Sequence, residues 1–165
     1  MTKTTKSEPV VGLDLADKLG LSVIDRVSER LLFSDSITLA RGDTQKRLLR
    51  LHEVLVELFE RFNPVEIAIE DVFLPARTSP RTPISLGELR GVARLCAAER
   101  AVPVFFYPPR KVKMAITGYG NASKEDVVHW IESEFKVKVK DHNEADAISI
   151  AWTHILERRF TACQE

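Results

Sequence analysis

Three apolar segments open the chain and predict three β-strands. Val10–Leu15, Leu21–Arg26 and Leu31–Leu39 are rich in branched apolar residues, and the pairs Asp17-Lys18 and Ser28-Glu29 are typical of the turns between them. Three strands in succession, in place of a β-α-β order, argue against a dinucleotide-binding domain. The chain also contains no G-x-G-x-x-G motif.

A long helix is predicted next. Gly42-Asp43 supplies its start with an N-cap aspartate, and Asn63-Pro64 ends it. Its apolar stripe at helical spacing consists of Leu48, Leu51, Leu55, Leu58, Phe59 and Phe62.

The second half of the chain alternates strands with helices. Val65–Glu70 and Val102–Tyr107 are predicted strands, Ile84–Glu99 is a predicted helix, and Leu74–Thr82, with two Pro and two Arg, is predicted to be a flexible loop. Three more helical starts follow: Pro109 suits a first turn, Ser123 to Asp126 resembles a capping box, and Asn143 or Glu144 opens a last helix that runs to about Arg159. This order predicts an α/β domain, a mixed five-stranded sheet with helices on both faces.

Length and composition fit one globular domain. The chain has 165 residues, 44% of them hydrophobic and 29% charged, which excludes a disordered or low-complexity protein. We predict a single domain over residues 10–159, with a flexible N-terminal tail at 1–9 and a C-terminal tail at 160–165. No apolar run approaches the roughly 20 residues that span a bilayer, so no membrane association is expected. The polar N-terminus and two isolated cysteines, Cys96 and Cys163, favour a cytoplasmic location.

The charge is balanced overall but unevenly distributed. The 24 basic and 24 acidic residues cancel, yet eight basic residues face only two acidic ones between Arg77 and Lys113. One surface could therefore attract a polyanion, although a solvated helix face would give the same pattern. The basic residues of this segment are Arg77, Arg81, Arg90, Arg94, Arg100, Arg110, Lys111 and Lys113.

Three acidic residues stand in apolar surroundings. Asp14 interrupts the first strand, Glu70 ends the fourth, and Asp146 lies among alanines and isoleucines of the last helix. A buried carboxylate needs a partner, either a cationic side chain or an N-cap, or, for all three together, a divalent cation. Oxygen ligands favour Mg²⁺ or Mn²⁺ over zinc, and the four histidines lack zinc-site spacing. Serine-hydrolase and P-loop motifs do not occur.

The sequence resembles the RuvC-type Holliday junction resolvases, bacterial endonucleases of the ribonuclease H-like superfamily. The resemblance runs from about Val10 to His154 and rests on six motifs in the family's order. They are Gly12-Leu-Asp14; Ile69-Glu70-Asp-Val-Phe73; Leu86-Gly-Glu-Leu-Arg-Gly91-Val-Ala; Val102-Pro-Val with Tyr107-Pro-Pro-Arg-Lys-Val-Lys113; Gly118-Tyr-Gly120 with Ala122-Ser-Lys124; and Glu144-Ala-Asp146-Ala-Ile-Ser-Ile-Ala.

The resemblance implies a set of metal ligands and DNA contacts. Asp14, Glu70 and Asp146 match the family's acidic residues, and the fourth ligand position falls on Asn143, where many relatives have Asp or His; His142 competes with it for that role. Leu15-Ala16 also departs from the Pro-Gly that is common in relatives. Phe73 matches an aromatic that stacks on bases at the opened crossover, and a position in the core is the alternative. Further expected nucleic-acid contacts are Lys113 and Lys124 by family position, and Lys111, Arg77 and Arg81 from the basic segment.

The implied mechanism needs no protein nucleophile. Two Mg²⁺ or Mn²⁺ ions per site, about 4 Å apart, would activate water and stabilise the leaving 3′ oxygen. A homodimer would make paired, symmetric nicks across a four-way DNA junction in recombination and repair, leaving 5′-phosphates. Whether a branch-migration motor loads it is left open. Two alternatives are a non-catalytic binder of branched DNA, favoured by the uncharged Asn143, and a ribonuclease H-like enzyme that processes RNA.

Overall fold

The computed structural model describes residues 6–71 and 81–162, of which residues 81, 82 and 162 are described by their backbone alone. Its strands are β1 (Pro9–Asp14), β2 (Lys18–Asp25), β3 (Arg30–Thr38), β4 (Glu66–Glu70) and β5 (Val104–Tyr107). Its helices are α1 (Thr44–Phe62), α2 (Arg81–Ala98), α3 (Pro109–Thr117), α4 (Lys124–Phe135) and α5 (His142–Ala162).

The five strands form one mixed sheet in the order β3-β2-β1-β4-β5. The first three strands are antiparallel neighbours, whereas β4 runs parallel to β1 and β5 runs parallel to β4. The carboxyl ends of β1, β4 and β5 therefore meet at one edge of the sheet, which is where ligands bind in open α/β sheets.

Helices cover both faces of the sheet, as predicted. Successive strand residues point to opposite faces, so Val11 and Leu13 pack with α1 and α2, whereas Val10 packs with α4 and α5. In the described parts of the chain, no helix has the length and apolar character needed to cross a bilayer.

The helix ends follow the predicted capping signals. The Asp43 side chain accepts from the Lys46 amide, Asn63 ends α1 with a left-handed φ of 45°, and Ser123 and Asp126 form a complete capping box. Most of the predicted loop, residues 74–80, lies outside the described residues, and Arg81 and Thr82 belong to α2.

The boundaries of β2 and α5 differ from those predicted. β2 begins at Lys18, which pairs with Thr38, whereas the sequence pattern placed Lys18 in a turn and the strand start at Leu21. Hydrogen bonds from both neighbouring strands extend β2 through Gly20, a residue with little intrinsic strand preference. α5 begins at His142 and continues to Ala162, beyond the predicted end near Arg159.

Helix α5 lies unusually close to the sheet because the residues below it are small. A Cβ atom on Gly12 would lie 2.2 Å from the carbonyl oxygen of Ala147, and one on Gly20 would lie 2.0 Å from that of Asn143. The Ser22 hydroxyl donates to the Ala147 carbonyl at 2.8 Å. This close packing holds the start of α5 against the edge where β1 and β4 end.

Candidate active site

Asp14 and Glu70 occupy neighbouring positions at the ends of two parallel strands. Leu13 pairs with Ile69 in the sheet register, so the residues that follow them lie side by side. Asp14 lies two residues after Gly12 and Glu70 two residues after Ala68, and both of those residues face α5. Both carboxylates therefore project toward the α5 side of the sheet.

Asp146 reaches the same region from the first turns of α5. Its charge raises the pKa of both Asp14 and Glu70, and the charge of Asp14 raises the pKa of Glu70. The three acids that stood out in apolar sequence surroundings are thus neighbours in space, supplied by β1, β4 and α5.

The pKa values of these acids are raised above their ordinary range. Burial, and then repulsion by Asp146, raises the pKa of Asp14 to about 6. Burial and repulsion by Asp14 and Asp146 raise the pKa of Glu70 to about 7, and burial raises the pKa of Asp146. The site therefore concentrates negative charge at neutral pH at a cost to folding.

We expect Glu70→Gln to stabilise the protein above neutral pH. The unfolded chain ionises Glu70 near the ordinary glutamate pKa of 4.5 and the folded protein near 7, so the free energy of unfolding falls as the pH rises through that window. After allowance for solvent screening, the amide should add about 1–2 kcal/mol at pH 8 and little at pH 4. Thermal unfolding in chelator across this range measures the difference.

Glu132→Gln is the matched control for that experiment. A hydrogen bond from Lys138 lowers the pKa of Glu132, so the same substitution there should destabilise the protein at neutral pH. If the stability that Glu70→Gln adds to the parent protein is no larger at pH 8 than at pH 4, the raised pKa of Glu70 is contradicted.

Two lysines flank the carboxylates. Glu70 and Asp146 line a groove of about 230 Å³ together with Lys113 of α3 and Lys124 of α4. The positive charge of Lys124 lowers the pKa of all three acids, and that of Lys113 lowers the pKa of Glu70 and Asp146. The groove thus brings acids and cations together, a combination suited to a phosphate group held beside metal ions.

Asn143 is hydrogen-bonded to Asp14. Its side-chain nitrogen lies 3.1 Å from Asp14 Oδ2 and 3.0 Å from the Lys18 carbonyl oxygen. A carbonyl oxygen can only accept, so the NH₂ end of the amide faces Asp14. The predicted ligand oxygen of Asn143 is the other end of that amide.

The competing residue His142 opens α5, four residues before Asp146. Its Nε2 atom is 4.0 Å from Glu125 Oε1, its Nδ1 atom is buried without a hydrogen bond, and its charge lowers the pKa of Asp146. The choice between Asn143 and His142 as fourth ligand stays a prediction.

The donor atoms of the site are those that a hard divalent cation prefers, but they are not gathered as a compact metal site. The three acids and the amide oxygen of Asn143 offer only oxygen donors, the ligands that Mg²⁺ and Mn²⁺ prefer. Within residues 6–71 and 81–162, however, no three His, Cys, Asp or Glu side chains meet as a compact metal-binding cluster. The three acids are therefore near enough for their charges to interact, but they do not form a compact metal-binding cluster.

The structure separates Lys111 from the other predicted DNA contacts. Its Nζ atom lies 2.7 Å from Glu157 Oε2 of α5 and 5.7 Å from the centre of the Tyr107 ring. Phe73 and Arg77 lie outside the described residues, and Arg81 opens α2 with its side chain undescribed. Of the three predicted basic contacts whose side chains the structure describes, Lys113 and Lys124 line the groove.

Sequence reasoning missed a buried polar chain behind the site. Glu66 begins β4 with 5% of its surface exposed, and His154 of α5 is completely buried. His154 contacts both Glu66 and Tyr107. The signal that selected Asp14, an acid at a buried strand position, applies equally to Glu66.

Comparison with known proteins identifies relatives across nearly the whole chain. The family described as crossover junction endodeoxyribonuclease RuvC matches residues 10–154. The RuvC of Thermotoga petrophila is 35% identical over 146 residues, which cover 86% of this chain and 87% of that protein. The RuvC of Anaeromyxobacter sp. strain K is 38% identical over 154 residues, covering 92% of this chain and 82% of that protein.

Solved structures give the same result. A structure of Thermus thermophilus RuvC in complex with Holliday junction substrate matches with a TM-score of 0.83 and 29% identity, covering 93% of this chain and 96% of that chain. The yeast mitochondrial resolvase Ydc2 matches in fold alone, with a TM-score of 0.65 and 16% identity over 99% of this chain and 86% of that chain. These likenesses confirm the expected ribonuclease H-like fold and the resemblance noted in the sequence.

Proposed function

Because the chain belongs to the RuvC family of crossover junction endodeoxyribonucleases, we propose that it is an endonuclease that cuts four-way (Holliday) junctions in DNA. Three findings support the proposal: the family match over residues 10–154, the relatives named as endonucleases, and the likeness to a family member solved with junction DNA. Its roles would lie in DNA recombination and repair.

One observation in the structure carries the proposal. Asp14, Glu70 and Asp146 come from three elements far apart in sequence, yet the charge of Asp146 raises the pKa of both Asp14 and Glu70, and Glu70 and Asp146 line the lysine-flanked groove. Clustered ionised carboxylates destabilise a fold, so their presence at one strand edge favours a functional role over a structural one.

The chain's own residues suit the binding of two divalent cations. Asp14, Glu70 and Asp146 would hold Mg²⁺ or Mn²⁺, with Asn143 or His142 completing the set. When bound, the cations would supply an activated water and charge stabilisation at the scissile phosphate. Lys113 and Lys124 would bind phosphate oxygens next to the cleaved bond, and the Asn143 amide holds one oxygen of Asp14 in place.

A junction-cleavage assay tests the proposal directly. The protein is incubated with a synthetic four-way junction, a linear duplex of the same sequence and an RNA, each in Mg²⁺ and in Mn²⁺, and the nicks are mapped. Selective, symmetric nicks in the junction with 5′-phosphate ends would support both the activity and a homodimer with two sites. Preferred cutting of RNA or of linear duplex would contradict it.

One observation favours a second candidate function. An uncharged Asn143 donates to Asp14 where many relatives carry an acid or a histidine, which leaves one ligand charge fewer. A protein that binds the junction tightly but does not cut it in either metal would be a non-catalytic binder of branched DNA.

We expect Lys113→Ala and Lys124→Ala each to reduce the salt dependence of junction binding by about one counterion. Both cations border the groove, so each should neutralise a phosphate. Lys111→Ala is the matched control. Lys111 is paired with Glu157, so its removal should leave the salt dependence of junction binding nearly unchanged. The measurement is the junction Kd as a function of salt concentration. Equal slopes for all four proteins would mean that these lysines are solvated surface.

We expect Asn143→Asp to reduce the difference between the cleavage rates measured in Mn²⁺ and in Mg²⁺. The parent site should cut faster in Mn²⁺ than in Mg²⁺, because Mg²⁺ tolerates an incomplete oxygen set poorly. The added carboxylate should raise the Mg²⁺ rate and, through repulsion from Asp14, lower the melting temperature in chelator. Cleavage rates in each metal and thermal unfolding measure both effects. Equal rates of the parent protein in the two metals would contradict the prediction.

A further inference from the structure

A chain of three buried polar side chains links α5 to the sheet beside the candidate active site, where Tyr107 pairs with Glu70 in the sheet register. His154 is 0% exposed, and both of its ring nitrogens are engaged. Its Nδ1 atom lies 2.7 Å from the Tyr107 hydroxyl oxygen, and its Nε2 atom lies 2.9 Å from Glu66 Oε2. The chain thus joins β5, α5 and β4, the elements that flank the site.

The chain is satisfied with a neutral histidine. The Tyr107 hydroxyl donates to Nδ1, and the Nε2 hydrogen is donated to Glu66, which can only accept when ionised. Glu66 is also paired with Arg26 at 2.8 Å and with Arg158 at 3.0 Å, so its buried charge is compensated. Burial lowers the pKa of His154, in agreement with the neutral ring.

Such a chain is a poor way to gain stability. Polar groups lose hydration on burial, and apolar side chains of the same volume are often as stabilising or more so. The chain differs from apolar packing in being directional. Hydrogen bonds depend on the angle between donor and acceptor, so they fix the relative position of their partners more strictly than apolar contacts do.

Directional contacts are particularly important between α5 and the sheet, because the residues that pack there are small. Below the helix lie Gly12, Gly20 and Ser22, and the helix presents Ala147 and Ala151 to them. Small side chains allow close approach but interlock little, so they resist sliding along the helix axis weakly. His154 lies eight residues after Asp146, about 12 Å along the same helix.

We propose that the Glu66–His154–Tyr107 chain is a positioning device that fixes α5 along the sheet and thereby sets where Asp146 meets Asp14 and Glu70. The inference rests on the proposed function of these acids as the active site. His154 touches none of the reacting groups and acts through the helix that carries Asp146.

The double variant His154→Phe/Tyr107→Phe tests this role. It keeps both rings, removes both hydrogen bonds and leaves Glu66 paired with Arg26 and Arg158. We expect a folded protein with unchanged junction Kd, a single-turnover cleavage rate lowered about tenfold to a hundredfold, and weaker Mn²⁺ binding by the free protein, measured by electron paramagnetic resonance. His154→Gln should recover part of both losses, since its amide can donate to Glu66 and accept from Tyr107.

Thr153→Val is the matched control on the same turn of α5. It removes one buried hydrogen bond within the helix, from Thr153 to the Ser149 carbonyl, and leaves the chain intact. It should lower the melting temperature without changing the cleavage rate or Mn²⁺ affinity. If the double variant fails to fold, Tyr107→Phe alone, which removes one hydrogen bond of the chain and keeps the ring, carries the comparison with the same two measurements.

Two outcomes would overturn the inference. One is parent-like cleavage and Mn²⁺ affinity in the double variant. The other is a cleavage rate that follows the melting temperature in every variant, Thr153→Val included. If the parent protein does not cut junctions at all, the proposed function fails, and the Mn²⁺ affinities still decide whether the chain positions Asp146.

Discussion

Asp146→Asn is expected to abolish junction cleavage while leaving junction binding nearly unchanged. The acid comes from α5, lies beside Asp14 and Glu70, and would supply one of the charged oxygens that hold a divalent cation. Removing negative charge beside a polyanion releases no phosphate contact, so the Kd should stay within about twofold of the parent value. Single-turnover cleavage and binding titrations on the same junction measure the two effects. Asp14→Asn and Glu70→Gln should behave alike.

Glu157→Gln provides the control on the same helix. Glu157 pairs with Lys111 outside the groove, so its loss should leave the cleavage rate unchanged. Full cleavage by Asp146→Asn would contradict the assignment of these acids as metal ligands. Loss of junction binding in parallel with cleavage would instead point to a disturbed fold.

Gly12→Ala is expected to disrupt the packing of α5 on the sheet and to lower the cleavage rate. The new Cβ atom would lie 2.2 Å from the Ala147 carbonyl oxygen and 2.8 Å from the Ala151 Cβ atom, so α5 must move outward. Overpacking of this kind costs about 1–3 kcal/mol, and a shift of about 1 Å at Asp146 could lower the cleavage rate about a hundredfold. Chemical denaturation and single-turnover cleavage measure the two losses.

Gly87→Ala is the matched control. A Cβ atom on Gly87 of α2 meets no heavy atom of the described residues within 4 Å, and alanine is preferred to glycine inside a helix by about 0.5–1 kcal/mol. The same substitution should therefore stabilise the protein at residue 87 and destabilise it at residue 12. Equal effects at the two positions would contradict the close packing of α5.

The sequence was sufficient to predict the sheet and its layers and to select the three acids as candidates, because each of these leaves a local signal. Asp14 is a charge within a branched apolar run, and Glu70 ends another such run. The direction of parallel strands then requires both to meet at one edge. Asn63 and the Ser123 capping box likewise mark helix ends through interactions within a few residues.

The parts that the sequence could not predict depend on partners distant in the chain. Lys111 looks like a free cation in the basic segment until the packing of α3 on α5 brings it to Glu157, 46 residues later. The orientation of the Asn143 amide is set by the Lys18 carbonyl, 125 residues away. No local pattern encodes either contact.

The long-range pairing of β1 also sets the order in which the protein can mature during synthesis. β1 precedes β4 in the chain but needs it to complete its ladder, and the Ser22 hydroxyl can donate its hydrogen bond only once Ala147, 125 residues later, has been made. Contacts this distant form slowly and only after most of the chain exists. Asp146 arrives with that last helix, so a nascent or truncated chain that ends before α5 holds two of the three acids and lacks the packing that unites them. Such incomplete chains would lack the complete set of acids that the proposed cleavage requires.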